Sequence, residues 1–283
     1  MALCIWSVPT GPPGAASRYG DGMTAVSRPV ARPVAGHRLW VPRQHGAWAM
    51  LLLPVLLGVA ASTPAAPQLA VAGAALAAYL ASATAQTWSR NRRPPAYRLP
   101  MAVYGSVAAV LALLLMLAYP ALALAGLVVV PTGVVVFRGA QPGTRRDLAN
   151  SLLQVAQALV LVPATAWVSG AWDLPRVATY TCVAAGYQLG AVLVVRSVLR
   201  ERGNGAFAAL SVGFHAALVA AAALWLPLPY ALVAAGLAAR AAALPIIGLR
   251  LAGSPRPLRP VHVGIAEMVA SLAVVIVSFA VPI

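Results

Sequence analysis

With 283 residues, 61% of them hydrophobic and only 9% charged, and a mean hydropathy of +0.84, the chain is too apolar for a soluble domain, where about a quarter of residues carry charge. A formal charge of +15 would suggest nucleic acid in a soluble protein, but here the basic residues fall between apolar runs, so membrane topology accounts for them and no nucleic-acid partner is expected. Several runs approach the ~18–20 apolar residues that cross a hydrocarbon core, and no period-two strands suggest a barrel.

Residues 1–40 come first. VPTGPPGAASRYGDG and SRPVARPVAG are rich in Pro, Gly and Arg and read as a disordered basic arm. No charged start followed by a long apolar core marks a signal peptide, and Met23 stands as an alternative first residue. Residues 41–283 form the second region, a transmembrane helical domain.

Nine spans are expected in that region: 46–63, 68–88, 101–118, 120–137, 150–170, 176–196, 206–226, 228–249 and 261–282. Pro and Gly punctuate the turns between them, in STPAAP, NRRPP, YP, AQPG, WDLP, ERGNG, LPLP and SPRPLRP. The fold class is therefore all-α, a polytopic membrane bundle of about nine helices.

The arginines test this map. All 20 basic residues are Arg. Eighteen fall in the N-terminal arm and in the second, fourth, sixth and eighth loops or at their edges, and the other side holds only Arg176 beside Asp173. Positive residues stay on the cytoplasmic side. The expected location is the inner (plasma) membrane, with the N-terminus inside and the C-terminus outside. The remaining cation, Arg240, lies inside the eighth span, where a charge costs roughly 2.5–3.5 kcal/mol without a partner. Glu267, inside the ninth, has a similar depth below the arginine-rich side, so the two are expected to pair.

Most of the strongly polar residues within the spans lie toward the arginine-rich side. They are His45, Gln86, Asn150, Gln154, Gln157, Gln188, His215, Arg240 and Glu267. Asn150, Gln154 and Gln157 recur at helical spacing and share one face. A single amide in lipid serves as helix–helix glue. A set drawn from most of the helices at similar depth points instead to a polar chamber open to the cytoplasm. Arg43, Gln44 and His45 would line its mouth, and Asn91, Arg92, Arg93 and Arg202 from the loops are further candidate ligand-binding residues. The first-turn N–H groups of the opening helix favour an anion there, and arginine forks hold phosphate or carboxylate directly.

Metal chemistry lacks ligands. The chain has five acids, Asp21, Asp147, Asp173, Glu201 and Glu267, and none are clustered in sequence as Mg²⁺ on a diphosphate requires. His37, His45, His215 and His262 show no zinc spacing, and Cys4 and Cys182 are too isolated for a metal site or an expected disulfide. No metal or cofactor is expected, and no catalytic residue can be named.

PRQHGAWAMLLLPVLLG, Pro42 to Gly58, resembles the opening signature of the YwiC-like family of bacterial integral membrane proteins. RNRRPPAYRLPMAVYG, Arg90 to Gly105, and RRDLANSLL, Arg145 to Leu153, fit that family's later basic loops more loosely. The likeness covers roughly 40–282 and implies a multi-pass protein, without a reaction. A fainter likeness is to the UbiA prenyltransferase superfamily, whose nine-helix layout has an inside N-terminus. Those enzymes enter helix one with Arg-Pro-His, to which Arg43-Gln44-His45 is similar. They hold Mg²⁺ with two Asp-rich motifs in the second and sixth loops; here those loops read TWSRNRRPPAYR and VVRSVLRERGNGAF, so metal-dependent prenyl transfer is not expected. Three functions remain: binding of an anionic lipid or isoprenoid-type ligand, a lipid-modifying enzyme without an Asp–Mg²⁺ site, and a small-solute transporter. Membrane lipid is the expected partner.

Overall fold

The computed structural model describes residues 37–40, 45–90, 94–139, 148–254 and 258–283. Its helices are α1 (His37–Trp40), α2 (His45–Ala60), α3 (Pro67–Arg90), α4 (Arg98–Ala118), α5 (Leu122–Gly139), α6 (Leu148–Leu159), α7 (Leu161–Trp167), α8 (Leu174–Leu199), α9 (Gly205–Trp225), α10 (Leu228–Arg250) and α11 (Pro260–Ala280). The protein is an all-helical polytopic bundle, and a helix or helix pair occupies each of the nine expected spans.

Eight of these stretches are long and apolar enough to cross a membrane, with α6 and α7 counted as one. That fifth span breaks between Leu159 and Leu161. Pro163 explains the break, because it has no N–H to offer the carbonyl of Leu159 one turn back. Helix α2 is the short one, with 16 residues. At 1.5 Å per residue it covers about 24 Å of a ~30 Å hydrocarbon core. It lies within the bundle and packs against α3, α6, α7, α8 and α11, with Met50, Leu51, Leu53 and Leu57 buried.

Turn chemistry sets the ends. Pro67 and Pro260 begin α3 and α11, where a missing N–H costs nothing. Asn204 caps α9 by accepting from the Phe207 amide at 3.1 Å. Gly203 and Gly170 precede the starts of α9 and α8 with φ of 83° and 76°, a left-handed backbone that glycine adopts without strain. The short α1 lies at the end of the stretch read as an arm. Trp40 stacks edge-on against Tyr104 of α4, whose hydroxyl donates to the Trp40 carbonyl at 2.9 Å.

Helix α8 is the most buried span. It touches α2, α6, α7, α9, α10 and α11. Small residues let this happen: a Cβ on Gly186 would meet Leu218 at 2.9 Å, and one on Gly190 would meet His215 Nε2 at 2.7 Å. Helix α9 therefore closes on α8 at those two points. Helix α4 packs chiefly on α3 and α5 chiefly on α6, and both present Leu and Val outward to lipid.

A polar layer and an apolar cavity

Four helices bring the most strongly polar side chains within the spans together. Arg240 of α10 places Nη1 2.8 Å from Glu267 Oε2 of α11, with side-chain exposures of 11% and 4%. The expected pairing is present. It is an ion pair by distance, but no N–H of Arg240 is aligned for a hydrogen bond; Nε and Nη2 of Arg240 and Oε1 of Glu267 are buried without a partner. Tyr187 of α8 donates its hydroxyl to the Glu267 carbonyl at 2.8 Å and lies 3.4 Å from Oε2. Changing Tyr187 to Phe should lower stability by about 0.5–1.5 kcal/mol, the net worth of one hydrogen bond, read from denaturant unfolding in detergent; no change would mean the hydroxyl contributes nothing.

His215 of α9 completes this layer. Its Nδ1 is 2.7 Å from the Ser211 carbonyl. A carbonyl can only accept, so the proton sits on Nδ1. Nε2 faces Gly190 of α8, and Arg240 lies within electrostatic range.

Beside this layer lies a cavity of about 410 Å³ enclosed by α8, α9, α10 and α11. Its walls are almost wholly apolar. Tyr187, Leu218 and Leu237 line it. Leu237 is one turn from Arg240, and Leu218 one turn from His215, so its closed end rests on the polar layer. At the other end Ala178, Cys182 and Trp225 line it while remaining exposed. The cavity thus opens sideways between α8 and α9, beyond the point where Gly186 holds them together. It lies toward the end of the bundle that carries Leu226 and Ile283, opposite the arginine-rich loops.

The other polar residues singled out from the sequence divide among separate contacts. Gln188 of α8 donates to the Met50 carbonyl of α2 at 3.3 Å. Pro54 explains this bond, because it cannot donate to the carbonyl four residues back. Gln157 donates to the Val129 carbonyl and Thr132 hydroxyl of α5, each at 3.1 Å, and Asn150 packs against Gly139 of the same helix. Gln154, between them on that face, is 3% exposed and leaves Oε1 unpartnered. Gln86 donates to Ser82 of its own helix at 3.2 Å. Exposed Arg202 donates its Nε to the Val198 carbonyl at 3.3 Å. Arg43, Gln44, Asn91, Arg92 and Arg93 lie outside the described residues, and of His45 only its place as the first residue of α2 is described.

Sequence reasoning missed Tyr187 and the cavity. A signal for Tyr187 existed, since a tyrosine deep in an apolar span needs a hydrogen-bond partner. The cavity had none, because Ala, Val and Leu read alike whether they fill space or surround it. Among the described residues, no three of His, Cys, Asp and Glu come together.

Residues 41–166 match the sequence profile of the family described as YwiC-like protein. A protein of Bacillus subtilis (strain 168) named "Uncharacterized protein YwiC" is 30% identical over 176 residues, which cover 62% of this chain and 73% of the relative. No solved structure matches, and neither finding carries the UbiA likeness. The profile spans α2 to most of α7, so Tyr187, His215, Arg240 and Glu267 all lie beyond it.

Proposed function

The chain belongs to the YwiC-like family, and from that premise we propose that it binds the apolar chain of a lipid or isoprenoid-type ligand within the membrane, in the cavity among α8, α9, α10 and α11. The observation that carries this reading is the cavity itself: about 410 Å³, apolar-walled, ending at Tyr187, Leu218 and Leu237 beside the polar layer and lined at its other end by exposed residues of α8 and α9. A lipid chain could partition into it directly from the bilayer. Apolar walls favour a hydrocarbon over the polar solute that a small-solute transporter would carry. A ligand pocket commonly combines such walls with a few placed polar groups.

The test is lipid retention after mild detergent purification, read by native mass spectrometry. Ala234 lines the cavity and is 8% exposed. The parent should retain a bound lipid, and Ala234→Trp, which fills the space, should lose it while remaining folded. Equal retention by both would assign the lipid to the outer surface of the bundle and defeat this reading.

The orientation belongs to the same proposal. The sequence bias of eighteen arginines in the arm and the second, fourth, sixth and eighth loops against Arg176 on the other side supports a cytoplasmic arginine-rich side and, with it, a cavity in the outer half of the plasma membrane. A reporter fused after Ile283 should be active only outside; activity confined to the cytoplasm would reverse the assignment.

A further inference from the structure

We infer that a lipid held in this cavity carries an anionic head group, a phosphate or a carboxylate, and that Arg176 holds that group at the cavity's exposed end. The inference rests on the cavity reading above and deepens it. Arg176, Thr179, Val183 and Tyr187 follow one another along α8 at spacings of three and four, so they share one face of the helix. The last three line the cavity. Arg176 therefore stands one turn beyond Thr179, about 4.5 Å further along the axis at a rise of ~1.5 Å per residue. Across the same end, Tyr230 of α10 lines the cavity and lies within electrostatic range of Arg176. The opposite end is walled by Leu218 and Leu237, and the Tyr187 hydroxyl there is committed to the Glu267 carbonyl. A lipid therefore enters tail first and leaves its head group beside Arg176.

The Arg176 side chain has no partner among the described residues. It joins neither the Arg196–Glu201 nor the Arg240–Glu267 ion pair. Asp173, three residues earlier at the N-cap of α8, is exposed and does not pair with it. Access separates Arg176 from Arg240. All three side-chain nitrogens of Arg240 are sealed from solvent, whereas of Arg176 only Nε is buried and unpartnered, in a residue that is partly exposed. Arg176 also lies in the first turn of α8, where the positive end of the helix macrodipole disfavours a cation and favours an anion. A charge beside hydrocarbon without a counter-ion is costly. A phosphate or carboxylate relieves both costs, and the guanidinium fork takes either one bidentately. A neutral alcohol brings no charge to offset.

The experiment uses the full chain in phosphatidylcholine nanodiscs. Tritiated dodecyl phosphate and dodecanol are the probes, inorganic phosphate is the competitor, and empty nanodiscs give the blank. The parent should bind dodecyl phosphate roughly tenfold more tightly than dodecanol, the scale of one charge-assisted hydrogen bond. Arg176→Gln should bring the two probes to parity; should that variant fail to fold, Arg176→Met, which keeps the apolar stem, decides by the same ratio. Ala234→Trp, which fills the cavity, should abolish binding of both. Inorganic phosphate at the probe's concentration should displace neither, because it has no chain to place in the cavity. A phosphate preference that persists without Arg176, or phosphate binding that survives Ala234→Trp, overturns the inference. Displacement by inorganic phosphate overturns it too, since the site would then take a free anion rather than a lipid. Equal binding of the two probes by the parent, lost in Ala234→Trp, leaves the cavity reading standing and removes the anionic head group. Binding of neither removes both.

Discussion

Replacing Arg240 by Leu, or Glu267 by Leu, should each destabilise the protein by about 3–5 kcal/mol, and replacing both should recover most of the loss. Each single change strands one charge in a site whose side chains are 11% and 4% exposed. No other described acid lies on the same layer to take over from Glu267, and His215 is a poor substitute for Arg240 while its Nδ1 proton is committed to the Ser211 carbonyl. The double variant removes two desolvated ions and leaves leucines in an apolar surrounding, which costs little. Denaturant titration in detergent micelles, followed by helix content, gives the three free energies. A double variant no more stable than the worse single one would mean that the pair's partners, Tyr187 above all, depend on it for their own placement.

The second large effect concerns an orphaned carbonyl. Pro54 deprives Met50 of its usual helical donor, and Gln188 supplies the replacement across α2 and α8. Gln188→Leu should cost about 1–3 kcal/mol, the penalty of a buried acceptor left unmade. Pro54→Ala returns an amide donor to the turn and should make Gln188→Leu nearly harmless. The coupling is visible as non-additivity in a double-mutant cycle. Strict additivity of the two changes would show that the Gln188 bond to Met50 carries no weight.

That bond also marks how much of the site could be read from the chain. Pro54 and Gln188 are both conspicuous, one as a breaker in an apolar helix and the other as an amide in lipid. Their relation is not visible, since 134 positions separate them and only the packing of α2 on α8 brings them together. Gln157 is similar. Its helical spacing from Asn150 was legible, but the face they share meets α5 rather than an open space. The pairing of Arg240 with Glu267 was legible because it follows from depth alone. Two opposite charges at equal distance from the same end of antiparallel helices have few other partners.

The sequence by itself determined the class, the number and limits of the apolar helical stretches, the asymmetry of the arginines and the membership suggested by the run from Pro42 to Gly58. All of these are local or additive properties: a span is a length of apolar residues, a turn is a Pro or Gly, and a charge bias is a sum over loops. Tertiary structure alone decided which helices are central, which amides are glue, and where empty space remains. Gly186 and Gly190 let α9 approach α8 closely, and the cavity extends from Gly186 toward the end that carries Leu226. A void is set by how far apart backbones are held, and nothing in a run of Ala, Val and Leu specifies that distance until neighbouring helices pack.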